Sequence, residues 1–521
     1  MYNCRKKCRK RNGILDILNN IKNNAIEHPN RIAIIDQENS LTYEELETKS
    51  NHLASYLKQE FGCDNTPIVV FGHKSPFMLI CFLACVKSGH SYCPIDISTP
   101  KPRVESILHT IENPIVLAVE ELECNINDIK VVNRITIEKV IDSKMNEITE
   151  ECRVAGEDIF YIIFTSGSTG QPKGVQITAN CLNHYLEWSI HLGNDYDKKK
   201  GKVFLNQAPF SFDLSVMDLY TSFACGGTLW CLNKETQVSY AKLMESLGQS
   251  QVSVWVSTPS FADICLTDNK FNQDLMPDLE LFLFCGEILT NQTVKRLKER
   301  FPKAIIVNTY GPTESTVAVT EVIVTEELNE AESPLPVGRS RTGTWIEIRK
   351  PDGTLAQENE KGEIILIGDT VSCGYYRKPD LTEKAFFKCN KNGVEYRGYR
   401  TGDKGYLKQG MLYYCGRIDL QIKLHGYRIE LEDIEWNMQK LSDISNVVVL
   451  PNEKDGKVKS LTAFVSYRKE VDQPFKVSQQ IKKQLKEFLP DYMIPKKIIF
   501  LDQIPLTNNG KADRKALEGM M

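Results

Sequence analysis

The sequence predicts an α/β protein with a large N-terminal α/β domain and a small C-terminal α+β domain. Three observations carry this. Strand-like apolar runs alternate with helix-like segments through most of the chain, the pattern of a sheet covered by helices. The chain has 521 residues, too many for one compact core. Finally, the pattern breaks near Arg417 to Leu420. The roughly one hundred residues beyond that break suffice for a small domain of their own. The expected division is residues 1–418 for the core and 419–521 for a mobile C-terminal domain.

The elements follow in order. Phe77 to Val86 is a ten-residue apolar run between Pro76 and Lys87, read as a buried helix and too short to span a bilayer. Asp158 to Phe164 is apolar and aromatic, a buried strand. Asn180 to Leu192 places Leu182, Tyr185, Leu186 and Ile190 at helical spacing. Val252 to Val256, Leu281 to Phe284 and Ala304 to Val307 read as short buried strands, each followed at once by polar, Gly- or Pro-containing sequence. Ligands of α/β sheets bind beyond the carboxyl ends of strands. Residues 285–287 and 308–314 are therefore expected near a site. In the small domain, Val447 to Leu450 and Leu461 to Tyr467 read as strands. Val477, Ile481, Leu485 and Leu489 mark the apolar face of a helix.

Composition excludes little but bounds the class. Apolar residues make up 41% and charged residues 25%, ordinary for a globular protein. A net charge of −4 gives no general case for nucleic acid. The 16 cysteines include no CxxC and no Cys/His cluster of zinc-site spacing, so reduced thiols and a cytoplasmic setting are expected. Residues 1–13 carry Arg5, Lys6, Lys7, Arg9, Lys10 and Arg11 with no apolar segment after them. A solvated, disordered basic tail is expected, without a signal peptide.

The most informative stretch is Thr165 to Gly174. Three glycines, four hydroxyl residues and one lysine fall within ten positions directly after the buried strand. Glycines let backbone N–H groups converge, hydroxyls donate to phosphate oxygens, and Lys173 supplies charge. The order Pro172-Lys173-Gly174 differs from a Walker A loop, where the lysine is followed by Ser or Thr. In Asn308 to Glu314, Gly311-Pro312 fixes a bend, Thr313 can donate to a phosphate, and Glu314 can bind a hard cation such as Mg²⁺.

Together these loops resemble those of the adenylate-forming superfamily, which includes acyl-CoA synthetases, luciferases and the adenylation domains of nonribosomal peptide synthetases. The resemblance implies an ATP site made of Thr165, Ser166, Gly167, Ser168, Thr169, Gly170 and Lys173 with Asn308, Thr309, Tyr310, Gly311, Pro312 and Thr313. Tyr310 would stack on adenine, Thr313 would meet the α-phosphate, and Glu314 would serve Mg²⁺. Tyr399 to Asp403 resembles the ribose motif. Asp403 would accept from both sugar hydroxyls, which suits a group with two acceptor oxygens and no donor. Tyr414 and Arg417 would assist. Asp419, in the stretch from Gly416 to Lys423, resembles the hinge. The following stretch, Leu424 to Glu430, would enter the site for a second half-reaction; His425 has no partner visible in sequence. Thr507 to Arg514 resembles the loop of the catalytic lysine, so Lys511 would bridge substrate carboxylate and ATP phosphates.

Asp213, in Phe210 to Ser215, is the discriminating residue. In amino-acid-activating members it pairs with the substrate ammonium, and a buried carboxylate without a cation is costly. The same aspartate also fits the N-cap of a following helix. The longer stretches 208–220, 257–261, 284–287, 308–320 and 422–435 resemble the family of D-alanine:D-alanyl carrier protein ligases, from about Leu15 to the C-terminus. That resemblance implies a small pocket lined by Cys285 and Val317, with D-alanine as substrate. It also implies ATP and Mg²⁺, and a carrier protein with a phosphopantetheine arm as acceptor. The product would serve D-alanylation of lipoteichoic acid. The alternative is a stand-alone peptide-synthetase adenylation enzyme for another small amino acid. A monomer is expected, with no nucleic acid partner and no integral membrane segment. Two departures, the basic head and Cys373 before Gly374-Tyr375, lie away from this chemistry.

Overall fold

The computed structural model describes residues 15–37, 39–126, 129–143, 152–167, 171–193, 196–454, 457–506 and 512–521. The N-terminal domain contains two mainly parallel sheets and one antiparallel sheet. The first has six strands in the order Lys130–Asn133, Ile115–Ala118, Ile68–Gly72, Tyr92–Asp96, Ile159–Thr165, Lys173–Thr178. Only its last pair is antiparallel. The second has nine strands and runs from Arg339–Ser340 at one edge to Asn39–Thr42 at the other. Its centre is a parallel array that includes Ile305–Tyr310, Leu281–Phe284, Val254–Ser257 and Val203–Asn206. The five-stranded antiparallel sheet contains the long strand Val394–Lys408 and its partner Met411–Arg417.

One continuous apolar core joins the two parallel sheets, with Val70 and Tyr161 from the first and Ile34 and Val256 from the second. Helices Pro76–Lys87 and Leu214–Ala224 run through it. The first explains the apolar run 77–86. Ser75 caps it by accepting from the Phe77 N–H, and Pro76 stands at its first turn, where a missing N–H is harmless. It is apolar all round because it is packed on every side.

The C-terminal domain opens on a two-stranded hairpin, Gln421–Leu424 with Tyr427–Glu430. Its turn residues His425 and Gly426 have φ of 53° and 83°, the left-handed pair of a tight hairpin turn. Helix Leu431–Gln439 follows, then a three-stranded sheet of Ile444–Lys454, Lys457–Tyr467 and Lys497–Leu501. Helix Pro474–Leu485 packs Ile481 and Leu485 into a separate core.

Two expectations need correction. Asn308, Thr309 and Tyr310 belong to the strand, not the turn after it. Their backbones pair with Thr320–Ile323, a strand that returns from beyond the turn and leaves no local signal. The C-terminal helix ends at Leu485, yet Leu489 is still buried, just before Pro490. A residue that precedes proline is pushed out of the helical region, so the chain turns there while keeping its apolar contact. Asp403 lies within the strand Val394–Lys408, beside a register shift between Asp403 and Gly405. Such a bulge redirects side chains.

Candidate functional site

The site forms where strands of the two parallel sheets end. Strand Ile159–Thr165 delivers Thr165, Ser166 and Gly167, and Thr165 pairs in register with Lys173. A side chain at Gly167 would begin 2.2 Å from the Gln171 carbonyl oxygen, so only glycine fits that turn. Ser168, Thr169, Gly170 and Lys511 lie outside the described residues.

The strand Ile305–Tyr310 delivers the next group. The Asn308 side-chain amide donates to the Pro336 carbonyl at 2.9 Å, while its Oδ1 is buried with no partner among the described residues. The Thr309 hydroxyl donates to the Phe284 carbonyl at 2.8 Å, tying the ends of neighbouring strands. Tyr310 donates to Asp403 Oδ2 at 2.5 Å. A Cβ at Gly311 would stand 2.5 Å from Ala318 Cα. After Pro312 and the short turn Thr313–Ser315, Thr316 and Val317 have φ of 58° and 67°. A β-branched residue in that region is strained, and such strain concentrates at functional sites. It brings Val317 against Cys285, whose thiol lies 3.7 Å from the Val317 carbonyl. Burial raises the Cys285 thiol above its ordinary range, so it acts as a neutral, space-filling group.

Asp213 occupies the N-cap position of helix Leu214–Ala224, but its side chain makes no capping hydrogen bond. It turns instead into the cavity shared with Cys285, Val317, Thr313, Asp403 and Arg417. Burial raises its carboxyl, opposed by the Thr313 hydroxyl and the nearby Lys423 charge. A carboxylate so placed favours a cation arriving beside it.

Buried Asp403 pairs with half-buried Arg417. Arg417 Nη1 donates to Asp403 Oδ1 at 2.8 Å and to the Thr401 carbonyl at 2.7 Å. Its other edge grips Asp419 through two hydrogen bonds of 2.8 and 2.5 Å. Arg417 thus links the carboxylate in the cavity to Asp419, two residues before the hairpin. Tyr414 places its ring 5.9 Å from that of Tyr310.

The hairpin of the C-terminal domain closes over these groups. Arg428 Nη1 donates to both oxygens of Glu314, at 2.8 and 2.7 Å, and Tyr375 adds a third bond at 2.8 Å. Burial alone would raise the Glu314 carboxyl. The Arg428 and Lys173 charges outweigh burial and hold it at about 2. Lys173 also faces Glu430 at 3.5 Å, and Ser166 donates to the Arg428 carbonyl at 2.8 Å. The Gly426 N–H donates to Glu287 at 2.9 Å. A Cβ there would sit 2.4 Å from the Thr258 methyl. Tyr427 stacks on Tyr492 with centroids 3.6 Å apart, and Phe212 meets both edge-on.

A family model described as AMP-binding enzyme matches residues 21–376, and one described as AMP-binding enzyme C-terminal domain matches residues 433–511. The chain belongs to the AMP-binding enzyme family. Relatives include the D-alanine–D-alanyl carrier protein ligase of Bacillus cereus (strain ATCC 10987 / NRS 248), 45% identical over 509 residues, with 96% of this chain and 99% of the relative covered. The ligase of the same name from Bacillus cytotoxicus matches to the same extent. Among solved structures, an NRPS protein containing adenylation and PCP domains, bound to a vinylsulfonamide inhibitor, is 26% identical. It superposes with a TM-score of 0.81 over 98% of this chain and 84% of that one. The Vibrio cholerae adenylation domain AlmE, in complex with glycyl-adenosine-5′-phosphate, has the same fold. Its TM-score is 0.78 at 24% identity, over 98% of each chain.

In this AMP-binding enzyme, Glu314 has the donors for Mg²⁺: two hard oxygens on a fully buried carboxylate that needs a positive partner. Arg428 is that partner here. Glu287 and the stretch that holds Arg428 and Glu430 are expected near the site from the sequence, without roles for these side chains; Tyr375 is not. The His-Gly turn between alternating residues does signal a hairpin. Nothing local says which carboxylate its arginine will meet more than a hundred residues away.

Proposed function

We propose that this AMP-binding enzyme activates D-alanine with ATP, giving D-alanyl-AMP and pyrophosphate, and passes the D-alanyl group to the phosphopantetheine thiol of a carrier protein. One observation carries this: Asp213, Cys285 and Val317 meet in a single cavity that also contains Thr313, Asp403 and Arg417. The name borne by relatives at 45% identity supports the choice of amino acid and acceptor.

Each residue then has a role. Asp213 pairs with the substrate ammonium. Cys285 and Val317 leave room for a methyl side chain and little more. Asn308 Oδ1 is an open acceptor for the amino group of adenine, and Tyr310 and Tyr414 flank that base. Asp403, oriented by Arg417, accepts from the ribose hydroxyls. Thr165 to Gly174 and Thr313 hold the phosphates, and Lys511 draws the carboxylate and the α-phosphorus together. Glu314 would hold Mg²⁺, which offsets phosphate charge when bound. The carboxylate oxygen attacks the α-phosphorus and pyrophosphate leaves.

The observed seating of the hairpin suits the second step. Arg428 covers Glu314 and Glu430 faces Lys173, so the groups that serve the phosphates of ATP are neutralised by the protein itself. The thiol attacks the carbonyl of the mixed anhydride and AMP departs. We place the domain boundary at 418/419 with Asp419 as pivot. Rotation about it would bring Lys511 in for the first step and the hairpin in for the second. The enzyme would act as a monomer in the cytoplasm, where ATP is supplied, for D-alanylation of lipoteichoic acid.

Amino-acid-dependent ATP–pyrophosphate exchange tests this, comparing D-Ala with L-Ala, Gly and D-Ser. Strong preference for D-Ala is expected. Preference for another small amino acid would keep the chemistry and move the protein to peptide assembly. No exchange with any of them would refute the activity.

A further inference from the structure

Asp433 lies in the first turn of helix Leu431–Gln439, directly after the hairpin, and its side chain is 1% exposed. One oxygen accepts from Asn437 at 3.0 Å. The other faces Arg103 Nη1 at 3.2 Å. Arg103 belongs to the other domain, on helix Lys101–Thr110, which follows a strand of the six-stranded sheet. Asp433 is therefore a buried carboxylate whose counter-charge lies across the domain boundary. A second pair has the same character. Lys457 Nζ, on a side chain 5% exposed, meets Asp263 Oδ2 at 2.8 Å. Asp263 is on helix Pro259–Cys265, which follows a strand of the nine-stranded sheet, and its other oxygen takes the Thr293 hydroxyl. The two pairs tie the C-terminal domain to helices that follow strands of both sheets.

We propose that Arg103–Asp433 and Lys457–Asp263 are positioning pairs that select this orientation of the C-terminal domain, and so serve thiol transfer while leaving adenylation alone. The physical reason is that each pair exists only in this seating. If the domain rotates about 417–421, both pairs part and their charges return to water. Buried pairs add little net stability, because desolvation offsets their attraction. They fix how the domain docks on this face, since a misdocked seating, or the loss of one partner, leaves a buried charge unpaired. None of the four residues takes a part in the chemistry proposed above. The inference rests on that proposed function only for which half-reaction is affected.

The test uses the full chain carrying Arg103→Glu, Asp433→Arg, or both. Three quantities are read: D-alanine-dependent pyrophosphate exchange, single-turnover transfer from D-alanyl-AMP to pantetheine, and hydrogen exchange of residues 421–430. Each single variant should slow transfer about tenfold or more, hold pyrophosphate exchange within about twofold, and speed hydrogen exchange in the hairpin. The double variant, with the charges swapped, should restore transfer and protection. Equal loss of both half-reactions, unchanged transfer, or failure of the swap to rescue would overturn the proposal. Lys457→Gln and Asp263→Asn give an independent second reading if the first pair impairs folding. Absence of D-alanine-dependent exchange in the unmodified protein would refute the functional reading. The hydrogen-exchange comparison would still decide whether the pairs set the orientation.

Discussion

Replacing Asp213 by Asn removes one negative charge from the cavity and almost no volume. Asp213 makes no capping bond to its helix, and burial already disfavours its charged form. Folding stability should therefore stay level or rise slightly. Binding should move the other way. A hydrogen bond to a charged partner contributes about 1.5–3 kcal/mol. Lys423 and Arg428, whose charges Asp213 feels, would then face the substrate ammonium without the carboxylate between them. The upper end applies, so kcat/KM for D-Ala should fall about a hundredfold. The assay is pyrophosphate exchange across a D-Ala titration, with urea unfolding alongside. Asp213→Ala sharpens it: a working cap would lose about 1 kcal/mol of stability, and none is expected here. The acid limb of kcat/KM should also move. A raised carboxyl loses its charge at higher pH than an ordinary aspartate, so activity falls sooner on acidification, and the Asn variant should lack this limb. A stability loss above about 1 kcal/mol with an unchanged KM for D-Ala would refute the assignment.

Four further outcomes are expected. Lys511→Ala should abolish adenylation and reduce transfer from preformed D-alanyl-AMP much less; equal loss in both assays would remove it from the first step. Cys285→Ala should weaken the preference for D-Ala over L-Ala by about 10-fold or more, measured as the ratio of exchange rates. Gly426→Ala places a Cβ 2.4 Å from the Thr258 methyl and at a φ of 83°, so transfer to pantetheine should fall further than pyrophosphate exchange. Lys74 is fully buried, donates to the Asn206 and Gln207 carbonyls, and is lowered by burial to about 8 from 10.5. Between those values the unfolded chain binds the extra proton, so this residue makes stability rise with pH from about 8 to 10.5. Urea unfolding of Lys74→Met should show that rise diminished and lower stability overall, because two backbone carbonyls lose their donor.

The sequence by itself determined the class of fold and which stretches resemble the family's motifs. The glycines of Thr165 to Gly174, the Gly311-Pro312 bend and the buried strands before them are local features. Backbone freedom and burial pattern are written residue by residue, whereas Asp213, Glu314 and Asp403 are reached through the resemblance of their motifs to the family's. Tertiary structure decided what those residues face. Asp213 could equally have capped its helix; only the packing of 208–214 against the 311–317 turn aims it into the cavity. The strand through Tyr310 is longer than its apolar run because its partner, Thr320–Ile323, returns from the far side of a bend. The Arg428–Glu314, Arg103–Asp433 and Lys457–Asp263 pairs join residues 114, 330 and 194 positions apart. A charge in a sequence carries no address for its partner. The address comes from how one domain sits on the other, and that seating is a sum over many weak contacts across the boundary.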